Sequence, residues 1–299
     1  MGQRGASVGT MSGPSLIILA AGRARRFGGV KPLAPIGPHG EAVIDLLAGD
    51  AVAAGFEQII LVVNPDTGPT IEDHVRSSWP DSVDVRFAVQ ERPLGTVHAV
   101  LAALPVVDRA RSFAVANADD LYGREALGTL ARFLAETNAN GLVGFRLANA
   151  LVGDDPVTRG VCEVDGSTLV TIAERRQVTT SEGVFRSGDG LAPEVLDPAA
   201  LVSMNLWGFA PEMWDVFEAA MAAATDASED AEVLLPEVVG RIVAGELVVE
   251  PASLAKVTVL ATESRCVGVT HPGDLEVVQA DIAGQVKAGE RPTHPFDAS

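Results

Sequence analysis

Leu16-Ile17-Ile18-Leu19-Ala20-Ala21-Gly22-Arg23-Ala24-Arg25-Arg26-Phe27-Gly28-Gly29-Val30-Lys31-Pro32-Leu33 is the stretch on which the rest of the chain is read. Its apolar run, Leu16 to Leu19, is too short for a helix and reads as a buried parallel strand. The run passes straight into Ala20-Ala21-Gly22, small residues that let a ligand approach the backbone. Arg23, Arg25, Arg26 and Lys31 come next. A strand that ends in a small-residue loop crowded with cations suits a polyphosphate, because loop N–H groups and side-chain charges converge on the anion. The competing reading is an ordinary strand–loop with surface arginines. A loop this basic, in a chain of formal net charge -18, weighs against it.

Outward from this stretch, apolar runs and helical periodicities alternate. The proline- and glycine-rich segment 32–40 must be a loop, and Ala42 to Ala54 then carries Val43, Leu46, Leu47 and Ala51 on one helical face. Strands are predicted at Gln58 to Asn64, Val83 to Val89 and Ser112 to Asn117, with short helices between them. This order predicts an α/β fold, a doubly wound, mostly parallel Rossmann-like sheet with helices on both faces. In such a sheet, ligands sit outside the carboxyl ends of the strands. Gln90 to Thr96 and Ala118 to Gly123, each at the end of a strand, should therefore face the same crevice as Gly22. Asp119 and Asp120 are adjacent carboxylates at a strand end, costly unless something positive neutralises them. Beside a triphosphate, Mg²⁺ is a fitting partner, a hard ion that shares carboxylate and phosphate oxygens.

Further on, Gly160 to Val164 and Leu169 to Glu174 read as a smaller antiparallel excursion over the crevice edge. Thr179 to Pro198 reads as a mobile loop, Leu201 to Phe209 as a strand, and Leu234 to Ala244 as a helix. Leu247 to Glu250 and Lys256 to Thr262 read as strands, and a last helix buries Leu275, Val278, Ile282 and Val286. His98 falls beside core positions of its helix and reads as structural. Residues 1–14 read as a disordered leader without the apolar centre of a signal peptide, 15–290 as one domain, and 291–299 as a polar tail.

Composition narrows the function classes. With 299 residues, 47% hydrophobic and 21% charged, the chain can bury a sizeable core. Its acidity argues against a nucleic-acid surface, which needs clustered Lys and Arg. No apolar run reaches the length of a membrane span. Cys162 and Cys266, the two cysteines, sit in apolar contexts that suit core packing in a reducing compartment, so a cytoplasmic location is expected.

Leu19-Ala20-Ala21-Gly22-x-Ala24-x-Arg26-Phe27, with Lys31-Pro32-Leu33 shortly after, resembles the N-terminal signature of the sugar-1-phosphate nucleotidyltransferases, the nucleotide-sugar pyrophosphorylases. Ala24 stands where the family's pattern has a second glycine. The resemblance implies a Mg²⁺-dependent enzyme whose partners are a nucleoside triphosphate and a sugar phosphate, with homo-oligomerisation left open. It implies catalytic roles for Arg26 and Lys31, and nucleotide contacts from Leu19, Ala20, Ala21 and Gly22. Gln90, Pro93, Gly95 and Thr96 resemble the family's base-recognition loop, with Gln90 suited to a bidentate amide contact and Gly95 to close approach by a flat ring. Asp119 matches the metal-ligand position, with Ala118 in place of a glycine. Gly160, Glu174, Arg175 and Asn205 resemble sugar-phosphate contacts, Glu174 for hydroxyls and Arg175 for the phosphate. Neither Thr270 nor Asp274 matches the second metal contact, which stays open. Two alternatives remain: a cytidylyltransferase acting on a phosphorylated polyol or alcohol, and a catalytically silent nucleotide-sugar sensor.

Overall fold

The computed structural model describes residues 13–22, 29–151, 155–269 and 273–297. Its first half alternates as the apolar runs require. β1 (Ser15–Leu19), α1 (Val43–Ala53), β2 (Gln58–Val63), α2 (Gly68–Ser78), β3 (Val85–Val89), α3 (Gly95–Leu101) and β4 (Phe113–Asn117) succeed one another. The four strands are parallel and ordered β4-β1-β2-β3. Leu16, Ile17 and Ile18 are wholly buried. Leu16 and Ile18 enter the core under α1, and Ile17 enters the opposite core under α3. Alternate side chains of one strand thus feed two cores, which is why the run is apolar without a break. Each such aliphatic side chain contributes about 1.5–3 kcal/mol by leaving water.

The second half is mixed. A two-residue β5 (Asp120–Leu121) precedes α4 (Arg124–Glu136) and β6 (Asn140–Arg146). β7 (Val157–Asp165) and β8 (Thr168–Ser181) form the antiparallel excursion, continued by β9 (Val184–Ser187) and β10 (Val195–Leu196). β11 (Leu201–Phe209) returns antiparallel between β4 and β6, and α5 (Met213–Ala227) and α6 (Leu235–Val243) come after it. β12 (Val257–Thr262) pairs parallel with β6, β13 (Val267–Gly268) pairs with β5, and α7 (Asp274–Ala288) comes last. The parallel character predicted for most of the sheet therefore holds for β3-β2-β1-β4 and for β6-β12, while the remaining pairings are antiparallel.

Three expectations need correcting. Within Thr179 to Pro198, the predicted loop, the chain instead completes β8 and forms β9 and β10, because Phe185, Ser187 and Leu196 find buried positions. Leu247 to Glu250 forms no strand. Gly245, at φ 73°, ends α6, the N–H groups of Glu246 and Leu247 turn back onto Arg241 O, and Val248 is left 82% exposed. The predicted polar tail begins with a buried residue, Arg291, ion-paired with Asp50 of α1 at 2.7 Å. No helix among the described residues is long and apolar enough to cross a membrane.

Candidate active site

The carboxyl ends of β1 and β4 lie side by side, Leu19 opposite Asn117. The loop leaving β1 is fixed from both neighbours: Ala20 N–H donates to Val62 O, Ala118 N–H to Leu19 O, and the Asn64 amide to Ala21 O at 3.1 Å. Among the described residues, nothing lies within 4 Å of a Cβ added at Gly22. The chain then returns at Lys31, in a short 3₁₀ turn, and its ammonium donates to Asp119 Oδ2 just beyond β4. Arg26, with Arg23, Ala24, Arg25 and Phe27, lies outside the described residues.

The Lys31–Asp119 pair stands where two cavities meet. A small one of about 170 Å³ is lined by Leu19, Ala20, Gly22, Lys31, Pro32, Ala118 and Asp119. On the other side opens a cavity of about 960 Å³, walled by the strand ends, β7, β8, β11 and α6. Gly160, Glu174 and Asn205 all line this larger space, as does Asp274, which the sequence left open. β13 brings Asp274 there: Gly268 pairs with Asp120, Val269 N–H donates to Asp119 O, and α7 starts at Asp274. Thr270 lies outside the described residues.

The strand end is rigidly held. The Tyr122 hydroxyl accepts from Asn117 N–H at 2.9 Å and donates to Met204 O at 3.1 Å, tying β4 to β11. The Asn117 amide donates to Asp120 Oδ2. Burial, and next the Asp119 carboxylate, push Asp120 up to about 7, so it is partly protonated at neutral pH. Asp119 is the member of the pair that meets Lys31.

Asn205 sits at φ 59° inside β11, in the left-handed region that asparagine tolerates better than most residues. The β11–β6 register breaks between Ser203 and Trp207, and this irregularity spans Asn205 on the cavity wall. At Gly160 a Cβ would lie 2.8 Å from Ile172 Cγ2, so the absent side chain keeps β7 close to β8.

Arg175 is where the structure departs most from the sequence reading. It is 4% exposed, and its guanidinium is taken by Asp189 at 2.8 Å and by the carbonyls of Leu191 and Pro193. Arg175 locks the β9–β10 connection and lines neither of these cavities. Arg176, two residues from Glu174 and so on the same strand face, lines the cavity instead and donates to Glu174 Oε1 at 2.8 Å. Counting by two from Glu174 finds Arg176 from sequence.

Gln90, Pro93, Gly95 and Thr96 line neither cavity. Gln90 is buried, and its amide nitrogen donates to Gly95 O and His98 Nδ1, both at 3.1 Å, which spends the donors a bidentate base contact requires. Burial, and next Arg92, hold His98 below the usual imidazole range, consistent with a neutral ring accepting that bond. Gly95 is required for packing as well as shape. Its φ is 91°, and a Cβ would lie 2.4 Å from Val233 O. The Thr96 hydroxyl accepts from Leu235 N–H at 2.8 Å, capping α6. Arg159 and Arg241, also on the large cavity, were not found from sequence. Nothing in their spacing marks them, since the crevice is assembled from segments far apart in the chain.

A small-residue loop, a lysine and a strand-end aspartate are gathered at the carboxyl edge of a parallel sheet, where open α/β sheets bind their ligands. Residues 16–149 match the MobA-like NTP transferase domain. This match, over the N-terminal part of the chain, agrees with the resemblance to nucleotidyltransferases drawn from the N-terminal signature. The chain is 30% identical over 177 residues to the bifunctional protein GlmU of Parvibaculum lavamentivorans, covering 58% of this chain and 36% of that protein. It is 33% identical over 170 residues to GlmU of a Bradyrhizobium species, covering 56% and 35%. The chain thus spans little more than a third of the length of these curated relatives. The fold is similar to that of the inositol-1-phosphate CTP transferase from T. maritima. That match has a TM-score of 0.65 and 16% identity, and covers 93% of this chain and 98% of that one.

Proposed function

We propose that this protein joins a nucleoside triphosphate to a sugar 1-phosphate, releasing pyrophosphate and leaving a nucleoside-diphosphate sugar. The observation that carries the reading is the Lys31–Asp119 pair at the meeting point of a small loop-lined cavity and a large polar one. The triphosphate occupies the side of the Ala20–Gly22 loop, and the acceptor occupies the larger space. An acceptor phosphate oxygen attacks the α-phosphorus in line, the new P–O bond forms, and the bond to the leaving pyrophosphate breaks. The attacking phosphate is already an anion, so no side chain has to remove a proton. Lys31 supplies positive charge where negative charge builds on the phosphate oxygens. Glu174 and Asn205 accept and donate hydrogen bonds to acceptor hydroxyls.

The donors at the strand end fit Mg²⁺. Among the described residues no group of three potential ligand side chains forms a ready-made cage, but Mg²⁺ is usually held by one or two carboxylates together with substrate phosphates. Asp119 would hold the ion, with Asp120 and Asp274 on the same cavity wall. When bound, Mg²⁺ supplies charge neutralisation of the triphosphate.

A panel of nucleoside triphosphates against sugar 1-phosphates and polyol phosphates, read by pyrophosphate release with Mg²⁺, tests the assignment. Release with a sugar 1-phosphate supports it. Turnover restricted to CTP with a polyol phosphate replaces it with the cytidylyltransferase reading. Silence across the panel leaves a nucleotide-sugar sensor.

A further inference from the structure

With Arg175 committed to the β9–β10 connection, the acceptor phosphate needs another anchor. Four cations line the large cavity among the described residues: Lys31, Arg159, Arg176 and Arg241. Lys31 is paired with Asp119 and Arg176 with Glu174. Arg241 stands exposed on α6, the helical wall of the cavity, where water already solvates it.

Arg159 differs from all three. It is only partly exposed, and among the described residues its hydrogen bonds all go to backbone carbonyls. Nε and one terminal nitrogen donate to Ala150 O at 2.9 and 2.7 Å, and the other terminal nitrogen donates to Thr158 O at 2.8 Å. A guanidinium has five N–H donors. These bonds use three, leaving one N–H on each terminal nitrogen, a pair suited to two oxygens of one phosphate. The same bonds fix the orientation of the group before any ligand arrives, so little rotamer freedom is lost on binding. Burial lowers its affinity for a proton, and the Asp120 carboxylate nearby partly offsets this. Arg159, Asp119 and Asp120 line the same cavity.

We infer that Arg159 holds the phosphate of the acceptor, and that it does so next to Asp119, where that phosphate must lie to reach the triphosphate. The inference rests on the reaction proposed above and names the residue that selects phosphorylated over unphosphorylated acceptors. A half-buried cation with no carboxylate hydrogen-bonded to it among the described residues is costly unless an anion arrives. The acceptor is then an organic phosphate monoester presented phosphate-first to the Asp119 end of the cavity, its hydroxylated body lying toward Glu174 and Asn205.

Arg159→Met and Arg159→Lys test it on the full chain, with thermal unfolding to confirm folding. With the triphosphate–acceptor pair found active in the panel, Arg159→Met should raise the acceptor KM roughly tenfold to a hundredfold, the loss expected for a charge-assisted contact. The triphosphate KM should stay within about twofold, a split that a general structural defect does not produce. Arg159→Lys keeps charge without the fork and should fall between. Inorganic phosphate, as a competitor of the acceptor, should inhibit Arg159→Met more weakly than the wild type. Equal rises in both KM values, unchanged phosphate inhibition, or a selective defect in Arg241→Met in its place would each overturn the assignment. Should no pair turn over, the proposed reaction itself falls. Calorimetric titration with inorganic phosphate then decides Arg159 separately, equal affinity in wild type and Arg159→Met counting against it. If Arg159→Met fails to fold, Arg159→Lys carries the same comparisons.

Discussion

Lys31 and Asp119 neutralise each other in the absence of ligand, so each must change partner for the proposed reaction to occur. Lys31→Ala should cut turnover by about a hundredfold or more, as removal of one charge-stabilising donor does. It should also tighten Mn²⁺ binding in the absence of nucleotide, because Asp119 loses its competitor. Mn²⁺ titration monitored by electron paramagnetic resonance reads this directly, and unchanged Mn²⁺ affinity would put the metal elsewhere. Asp119→Asn should weaken Mn²⁺ binding far more than Asp120→Asn. Asp120, pushed up to about 7, is already partly neutral at pH 7, so an amide there removes less charge. At the same scale, Arg175→Met should lower the melting temperature while changing neither KM selectively. The Arg175 contacts hold Asp189 well below the usual carboxylate range. A depressed folded-state pKa contributes stability above the unfolded value and loses it as pH falls. The deficit of Asp189→Asn should accordingly be fully present at neutral pH and shrink in acid.

The elements that carry the site are set by contacts across long stretches of sequence. α6 starts under the Thr96 hydroxyl at the beginning of α3, so Thr96→Ala should cost about 1 kcal/mol in urea unfolding, the usual value of a lost cap. A rise confined to the triphosphate KM would instead restore Thr96 to the nucleotide site. β11 bends at Asn205, whose φ of 59° is strained for a residue with a Cβ. Asn205→Ala should destabilise by about 1 kcal/mol or more, while Asn205→Gly relieves the backbone. Both should raise the acceptor KM if the amide contacts the acceptor. A stability loss without that rise would leave Asn205 a purely structural device.

For the molecule as a whole, the segment after α7 fastens the fold. Arg291 is buried against Asp50, Pro295 lies over Gly49 so closely that a Cβ there would sit 2.2 Å from its carbonyl oxygen, and Phe296 meets Trp79 at 5.4 Å. The Gln279 amide of α7 donates to Pro35 O, four residues beyond Lys31, which links the C-terminal part to the site. Among the described residues, removing Arg291 leaves the buried Asp50 with only Arg124, at 3.9 Å, so Arg291→Met should cost about 3 kcal/mol. Burial already raises Asp50 despite Arg291. A raised carboxylate favours the folded state at low pH and loses that advantage as pH rises above its unfolded value. The deficit of Arg291→Met should therefore be largest at neutral pH and narrow toward pH 4. A deficit independent of pH would assign the cost to lost packing.

The strand Leu16 to Leu19 and the place of its loop, of Lys31 and of Asp119 at the carboxyl edge of the sheet were legible in the sequence, because an unbroken apolar run must be a doubly covered strand and the loop leaving a parallel strand lies at that edge. The helices and the parallel strands came from the same periodicity. Period two along β8 also distinguishes Arg176 from Arg175, although composition alone made the two equivalent. Other features depended on partners far away in the chain. The Gln90 amide donors are taken by Gly95 and His98 and the Thr96 hydroxyl accepts from α6, Arg291 is buried only because Asp50 lies opposite, and Arg159 comes into the cavity of Asp120 only because β7 is laid beside β11. Sequence determines which groups a segment offers and which face they share. Tertiary structure decides which offers are already taken, because a hydrogen bond or ion pair across the fold is fixed by where distant backbones meet.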